Sequence, residues 1–188
     1  MGTLRYFATT SLDGYVADPS GGFDWAAPDE EMHGFVNDLL RPTGTWLLGR
    51  RMYKTLLYWE TSDTSEQTAA VERDFAGIWR GCDKIVYSST LSATSSRRTT
   101  IERHFDPGQV RQLVASADSD LTVGGPTLAA EALRAGLVDV LELLVVPWLI
   151  GSGLSWLPPD VRLPLELIDE RRFGGGAVYL RYRPRGSG

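Results

Sequence analysis

The chain has 188 residues, 43% hydrophobic and 23% charged, enough for one globular domain with a sizeable core. Its net charge of −5 speaks against non-specific binding to nucleic acid or an anionic membrane, yet leaves local arginines free to hold an anionic small ligand. Cys82 is the only cysteine, and His33 and His104 lie far apart, so no disulfide framework, cysteine cluster or metal-ligand spacing is present and no metal is expected.

No stretch approaches the length of a membrane span, and Met1 to Arg5 runs straight into a strand pattern, so no signal peptide is expected and the chain reads as cytoplasmic. Leu4 to Thr10 is the first strand, rich in β-formers, followed by an Asp13-Gly14 turn signal and a Gly-rich loop over Asp18 to Gly22. Acidic residues at Asp29 to Glu31 suit a helix start, and Met32, Phe35, Val36, Leu39 and Leu40 recur at helical spacing. Trp46 to Leu48 is a short buried strand ended by Gly49, and Arg50 to Leu57 is a helix. Ser62 to Gln67 is a polar loop or helix start, and Ala69 to Trp79 an amphipathic helix. Lys84 to Ser88 is a strand entering a Ser/Thr-rich loop, and Pro107 to Ala117 is helical. Val138 to Trp148 is a long apolar strand. Leu165 to Phe173 and Ala177 to Arg183 form a hairpin across Gly174 to Gly176. Strands and helices alternate to residue 135 and strands then dominate. This predicts a mixed α/β sheet with flanking helices, parallel in its first part, with an antiparallel C-terminal hairpin. The expected organisation is a single domain over residues 1–184 and a frayed tail over 185–188.

The most informative segment is Leu121 to Leu133, where a β-branched run meets Gly124 and Gly125, then Pro126 and a helix-forming stretch. Proline suits the first helical position, glycines allow close backbone approach, and the free N–H groups of a helix start favour an anion. Gly124, Gly125, Pro126 and Thr127 are therefore candidates to face a phosphate. A tight turn without a ligand is the alternative. Gly49, Arg50 and Arg51 follow a second strand, and Ser88, Ser89 and Thr90 a third. In an open α/β sheet ligands sit beyond the carboxyl ends of the strands, and guanidinium and hydroxyl groups suit a phosphate monoester. The Gly-x-Gly-x-x-Gly fingerprint is absent after the first strand, which argues against a standard dinucleotide-binding Rossmann domain.

The segments Ala8 to Ala17, Leu47 to Tyr53, Lys84 to Ser89, Val123 to Leu128 and Val146 to Gly153, in this order, resemble the dihydrofolate reductase fold family. The nearer likeness is to its branch with the reductase domain of riboflavin biosynthesis. The resemblance covers nearly the whole chain. It implies an NADPH-dependent reductase passing a hydride to a small C=N or C=O acceptor, a pyrimidine or pterin related to riboflavin or folate metabolism. It further implies that Ala8 and Val16 line the nicotinamide pocket and that Arg50 and Arg51 meet the 2′-phosphate or the pyrophosphate. Ser88 and Ser89 would hold the adenosine ribose phosphate, and Gly124 through Leu128 would cradle the pyrophosphate.

Met52 stands where the family often has threonine, and no zinc-bearing deaminase domain is present. Asp13 and Asp29 are the candidate catalytic carboxylates. Asp13 either orients the substrate or makes the Asp-Gly turn; Asp29, with Glu30, reads equally as an acidic helix start. Phe23 and Trp25 could cover the site as a lid. The expected partners are a small-molecule substrate and a second copy in a homodimer, with no nucleic acid and no membrane. Two other readings stay open: a homodimer that binds NADPH without catalysis, and a structural dimer joined through Val138 to Trp148, a run that a core strand explains equally well.

Overall fold

The computed structural model describes residues 2–62 and 68–185. In chain order the elements are β1 (Leu4–Thr10), β2 (Tyr15–Ala17), a 3-10 turn (Asp24–Ala26), α1 (Glu30–Leu40), β3 (Thr43–Gly49), α2 (Arg50–Leu56) and α3 (Tyr58–Thr61). They continue as α4 (Ala70–Gly81), β4 (Asp83–Tyr87), β5 (Thr99–Glu102), α5 (Pro107–Ser116), β6 (Asp120–Gly124) and α6 (Pro126–Arg134). The chain closes with β7 (Val140–Val145), β8 (Leu154–Ser155), β9 (Leu165–Arg172) and β10 (Val178–Pro184). The fold is mixed α/β: an eight-stranded sheet in the order β5-β4-β3-β6-β1-β7-β10-β9, with flanking helices and an antiparallel C-terminal hairpin. A separate two-stranded piece joins β2 to β8.

The structure divides into two compact units, one over residues 1–2 and 28–122, the other over 3–27 and 123–188. In the first, β3, β4 and β5 run parallel, with Gly49 opposite Tyr87 and Tyr87 opposite Glu102, so their C-terminal ends lie level. Its core gathers Leu40, Trp46, Leu48, Tyr53, Phe75, Trp79, Cys82 and Val86. Aromatic edges meet there, with Trp46 and Trp79 centroids 5.7 Å apart and nearly perpendicular. Asn37 of α1 bonds Asp74 and the Val71 carbonyl of α4, both at 2.8 Å, which fixes the pairing of those helices. Lys84 is buried, and its ammonium donates to the carbonyls of Trp79 (2.6 Å) and Cys82 (2.8 Å), where the C-terminal end of α4 favours a cation.

In the second unit β1 and β7 are parallel and β7 and β10 antiparallel. Arg5 and Glu142 are paired and almost wholly buried, with Arg5 Nε and Nη2 donating at 2.9 and 2.6 Å. The Tyr179 hydroxyl of β10 donates to the same carboxylate at 2.9 Å, so one anion ties three strands.

Most expected elements form where the periodicity predicts them; the short strands β2 and β8 were not expected, and three further segments differ. The Ser/Thr-rich loop after β4 contains β5, an edge strand whose polar, β-branched residues lack a full apolar alternation. The run Val138 to Trp148 contributes only β7, because the chain turns at Pro147 and the Trp148 amide bonds the Val146 carbonyl at 2.8 Å. Both edges of β7 are occupied, by β1 and β10, so this run is an interior strand rather than a dimer-forming edge. A short helix, α3, also extends the segment after α2. Most of the polar stretch Ser62 to Gln67 and the tail beyond Arg185 lie outside the described residues.

Removing one partner of a buried ion pair leaves the other uncompensated. Glu142→Gln is expected to lower unfolding free energy by about 3–5 kcal/mol, read from urea titration. An unchanged midpoint would mean that the cluster does not brace the sheet.

Candidate active site

Three strand ends were expected to carry anion-binding groups, and each is built by a distinct local device. After β6, Gly125 adopts φ +91°, a conformation that side-chain-bearing residues rarely take, and so turns the chain sharply into α6. Pro126 follows at the first helical position, and no side chain caps this terminus. The amides of Thr127 and Leu128 consequently have no intrahelical acceptor, while the Ala129 amide already bonds the Gly125 carbonyl at 3.0 Å. Thr127 is exposed and Leu128 is buried in the core. This donor set suits a pyrophosphate.

After β3, Gly49 leads into α2, again without a side-chain cap. Arg50 and Arg51 are exposed in its first turn and pair with no carboxylate among the described residues. Cations at a helix start run against the helix dipole, so helix stability does not explain them. Arg50 Nη1 donates to the Thr90 hydroxyl at 2.8 Å, joining the end of β3 to the turn after β4. In that turn Ser88 is buried, and its hydroxyl accepts from the amides of Thr90 (3.3 Å) and Leu91 (3.0 Å). Ser89 is exposed. Arg103 closes the turn, donating to the carbonyls of Ser88 at 3.1 Å and Leu91 at 2.7 Å. The first unit thus brings Gly49, Arg50, Arg51, Ser88 and Ser89 to neighbouring strand ends. Thr90 belongs to the hydroxyl run that the sequence already placed at this strand end, and Arg103 is a contributor that sequence reasoning did not single out. Arg103 carried no sequence signal. Met52, in place of the family's threonine, packs against the core.

In the second unit Ala8 is buried in β1 and Val16 is half-buried in β2. Asp13 is exposed, yet its carboxylate is fully engaged. It accepts from the Ser11 hydroxyl at 2.6 Å and from the amides of Ile150 (3.2 and 3.3 Å) and Gly151 (2.7 Å). The Ser11 bond, with the two amides, holds its pKa below the ordinary carboxylate value. Asp29 is the N-cap of α1 and accepts from the Met32 amide at 2.8 Å. Phe23 is exposed; Trp25 is half-buried with its indole N–H unbonded among the described residues.

Two features lie apart from these groups. A shallow concavity of about 590 Å³ lined by Arg41, Thr43, Asp74 and Cys82 sits at the start of β3, at the opposite end from Gly49, and Arg41 there is already paired with Asp74 at 2.8 Å. Burial pushes the Cys82 thiol up to about 11, which makes it a poor nucleophile. Among the described residues no group of three or more His, Cys, Asp or Glu could hold a metal, and no helix is long and apolar enough to cross a membrane.

The fold is dihydrofolate-reductase-like. The chain belongs to the RibD C-terminal domain family, which it matches over residues 3–179. The uncharacterized protein YyaP of Bacillus subtilis (strain 168) is 25% identical over 178 residues, covering 94% of this chain and 92% of that one. A candidate riboflavin biosynthesis protein of Shewanella sp. PV-4 superposes with a TM-score of 0.76 at 19% identity, covering 98% of this chain and 99% of that one. Dihydrofolate reductase of Enterococcus faecalis, solved with NADP(H), superposes with a TM-score of 0.67 at 12% identity, covering 98% of both chains.

Because the pKa of Asp13 is depressed in the fold, its stabilising contribution is present at neutral pH and is lost as pH falls through that lowered value. Asp13→Asn is expected to accelerate hydrogen exchange at the Ile150 and Gly151 amides at neutral pH, while wild type shows this only in acid. Equal exchange in both proteins at neutral pH would contradict the bracing role.

Proposed function

We propose that this protein is an NADPH-dependent reductase acting on a small acceptor with a C=N or C=O bond, built as a single domain over residues 1–184. The observation that carries this reading is the uncapped start of α6. There the amides of Thr127 and Leu128, left without intrahelical acceptors behind Gly125 and the N–H-free Pro126, point to where a pyrophosphate would be held, and Gly124 brings the strand to that turn. Arg50 and Arg51 would take the 2′-phosphate, since two guanidinium groups without carboxylate partners among the described residues offer charge and paired donors together. Ser89 is free to reach the ribose phosphate, and Ser88 shapes the turn that presents it. Ala8 and Val16 would line the nicotinamide. These donors fit the dinucleotide in charge and in kind.

NADPH, when bound, supplies a hydride from its nicotinamide ring. The chain's own part is to orient, to exclude water and to help a proton arrive. The small apolar side chains of Ala8 and Val16 would keep water from the ring, and Phe23 and Trp25 would cover the acceptor. Asp13 positions the loop beside β1 through Ser11, Ile150 and Gly151. Asp13 and Asp29 each already accept from backbone amides, so the proton would come from one of them, from Glu30 or from water. The same occupancy favours one other reading, a homodimer that binds NADPH and catalyses nothing.

Titration of NADPH and NADH against tryptophan fluorescence tests the proposal. Arg50→Ala is expected to weaken NADPH about tenfold while leaving NADH nearly unchanged, since one charge-assisted hydrogen-bonding group is lost. Absence of binding by either nucleotide at millimolar concentration would overturn it.

A further inference from the structure

The positive charge of this chain is unevenly placed. No lysine or arginine occurs between Arg5 and Arg41, or between Arg134 and Arg162. These two stretches hold the loops that leave the C-terminal ends of β1 and β7, where Thr10 and Val145 are register partners. The loops are tied to each other. The Leu12 amide donates to the Trp148 carbonyl at 2.8 Å, Val146 donates to the Thr10 carbonyl at 2.9 Å, and Asp13 holds the amides of Ile150 and Gly151. Further along, Ala17 pairs with Leu154, and Gly153 lies so close to the Ala17 carbonyl that a side chain there would collide with it.

The surface this builds is apolar. Leu12 is 67% exposed, Leu149 72%, Trp148 53% and Leu154 41%. Large apolar side chains held in water on two stitched loops mark a surface with an occupant. The ionised side chains of the adjoining segment are Asp13, Asp18 and Asp24, all carboxylates.

We infer that this surface receives the acceptor and that the acceptor is a planar, uncharged or cationic ring carrying no phosphate or carboxylate. The inference rests on the reductase reading and narrows its substrate. A phosphate monoester is recognised by guanidinium, ammonium or free helix-start amides, and these loops offer none of the first two. The carboxylate of Asp13, held against this loop, would repel it instead. The indole of Trp148 offers a face on which a flat ring stacks, and the leucines offer area that a neutral ring covers. Arg50 and Arg51 are committed to the dinucleotide in this reading, so the charge preferences of the two ligands are opposite.

The test compares two flat probes of similar shape, 2-methyl-1,4-naphthoquinone and 1,4-naphthoquinone-2-sulfonate. Each is titrated calorimetrically into the full chain, with and without saturating NADP⁺. The neutral probe is expected to bind at least about tenfold more tightly than the sulfonate. Trp148→Ala should weaken the neutral probe by a similar factor, and Leu149→Arg should narrow or reverse the preference. Both positions are exposed, and circular dichroism checks that each variant folds. Equal or tighter sulfonate binding by wild type would overturn the inference, as would variants that bind both probes as wild type does. Sedimentation that shows a dimer dissociating in Leu149→Arg would also overturn it, by giving the surface to a second copy. Because the probes are also measured without nucleotide, a failure of NADP⁺ to bind is seen separately from a failure of the acceptor inference.

Discussion

The buried carboxylate of Glu142 is the constraint on which the second unit depends. An anion out of water is costly unless paired and hydrogen-bonded, and this one receives Arg5 from β1 and Tyr179 from β10. A slip of β1 by one residue would turn Arg5 to the opposite face, and a slip of β10 would do the same to Tyr179, each removing a donor from the buried Glu142. The cluster thereby specifies register as well as neighbour. Since register sets where strands end, it also sets Thr10 level with Val145 and allows the loops beyond them to be joined. Burial raises the Tyr179 hydroxyl well above the usual phenol value, so it stays a donor throughout the physiological range.

The proposed cofactor site draws on backbone at one place and on side-chain charge at another. At the start of α6 the groups proposed to meet the cofactor are amides, which a positive-φ glycine and a proline leave without intrahelical acceptors. At the start of α2 they are guanidinium groups set against the helix dipole. The loops after β1 and β7 use neither. They combine exposed apolar side chains with carboxylates, and Asp13 spends its charge on holding backbone in place. A dinucleotide and a neutral ring call for opposite surroundings, and the cation-free stretches keep them distinct in the sequence itself.

The turn after β6 was legible in the sequence because Gly124, Gly125 and Pro126 each have few other reasons to stand together there. The helices were legible from apolar spacing, and β3 and β4 from apolar runs. β5 was not, because an edge strand need not bury both faces and its threonines read as loop. The extent of β7 was overread, since apolar composition continues past the point where Pro147 turns the chain. Residue types pointed to Arg50, Arg51 and Gly125 as candidates, but hydrogen-bond geometry was needed to see that Asp13 and Asp29 hold backbone amides. Nothing in the sequence linked Arg5 with Glu142, whose pairing depends on strands far apart in the chain. Family membership adds the fold and a reductase lineage, while the acceptor rests on the chemistry of the loops.

The most direct test is amide hydrogen exchange of the full chain with and without NADP⁺, read by mass spectrometry at peptide resolution. The account predicts slowed exchange over residues 125–128 and at the start of α2, with the 146–154 loop unchanged by nucleotide. Unchanged exchange at 125–128 in the presence of bound nucleotide would contradict it, because the uncapped helix start would then have no part in holding the cofactor.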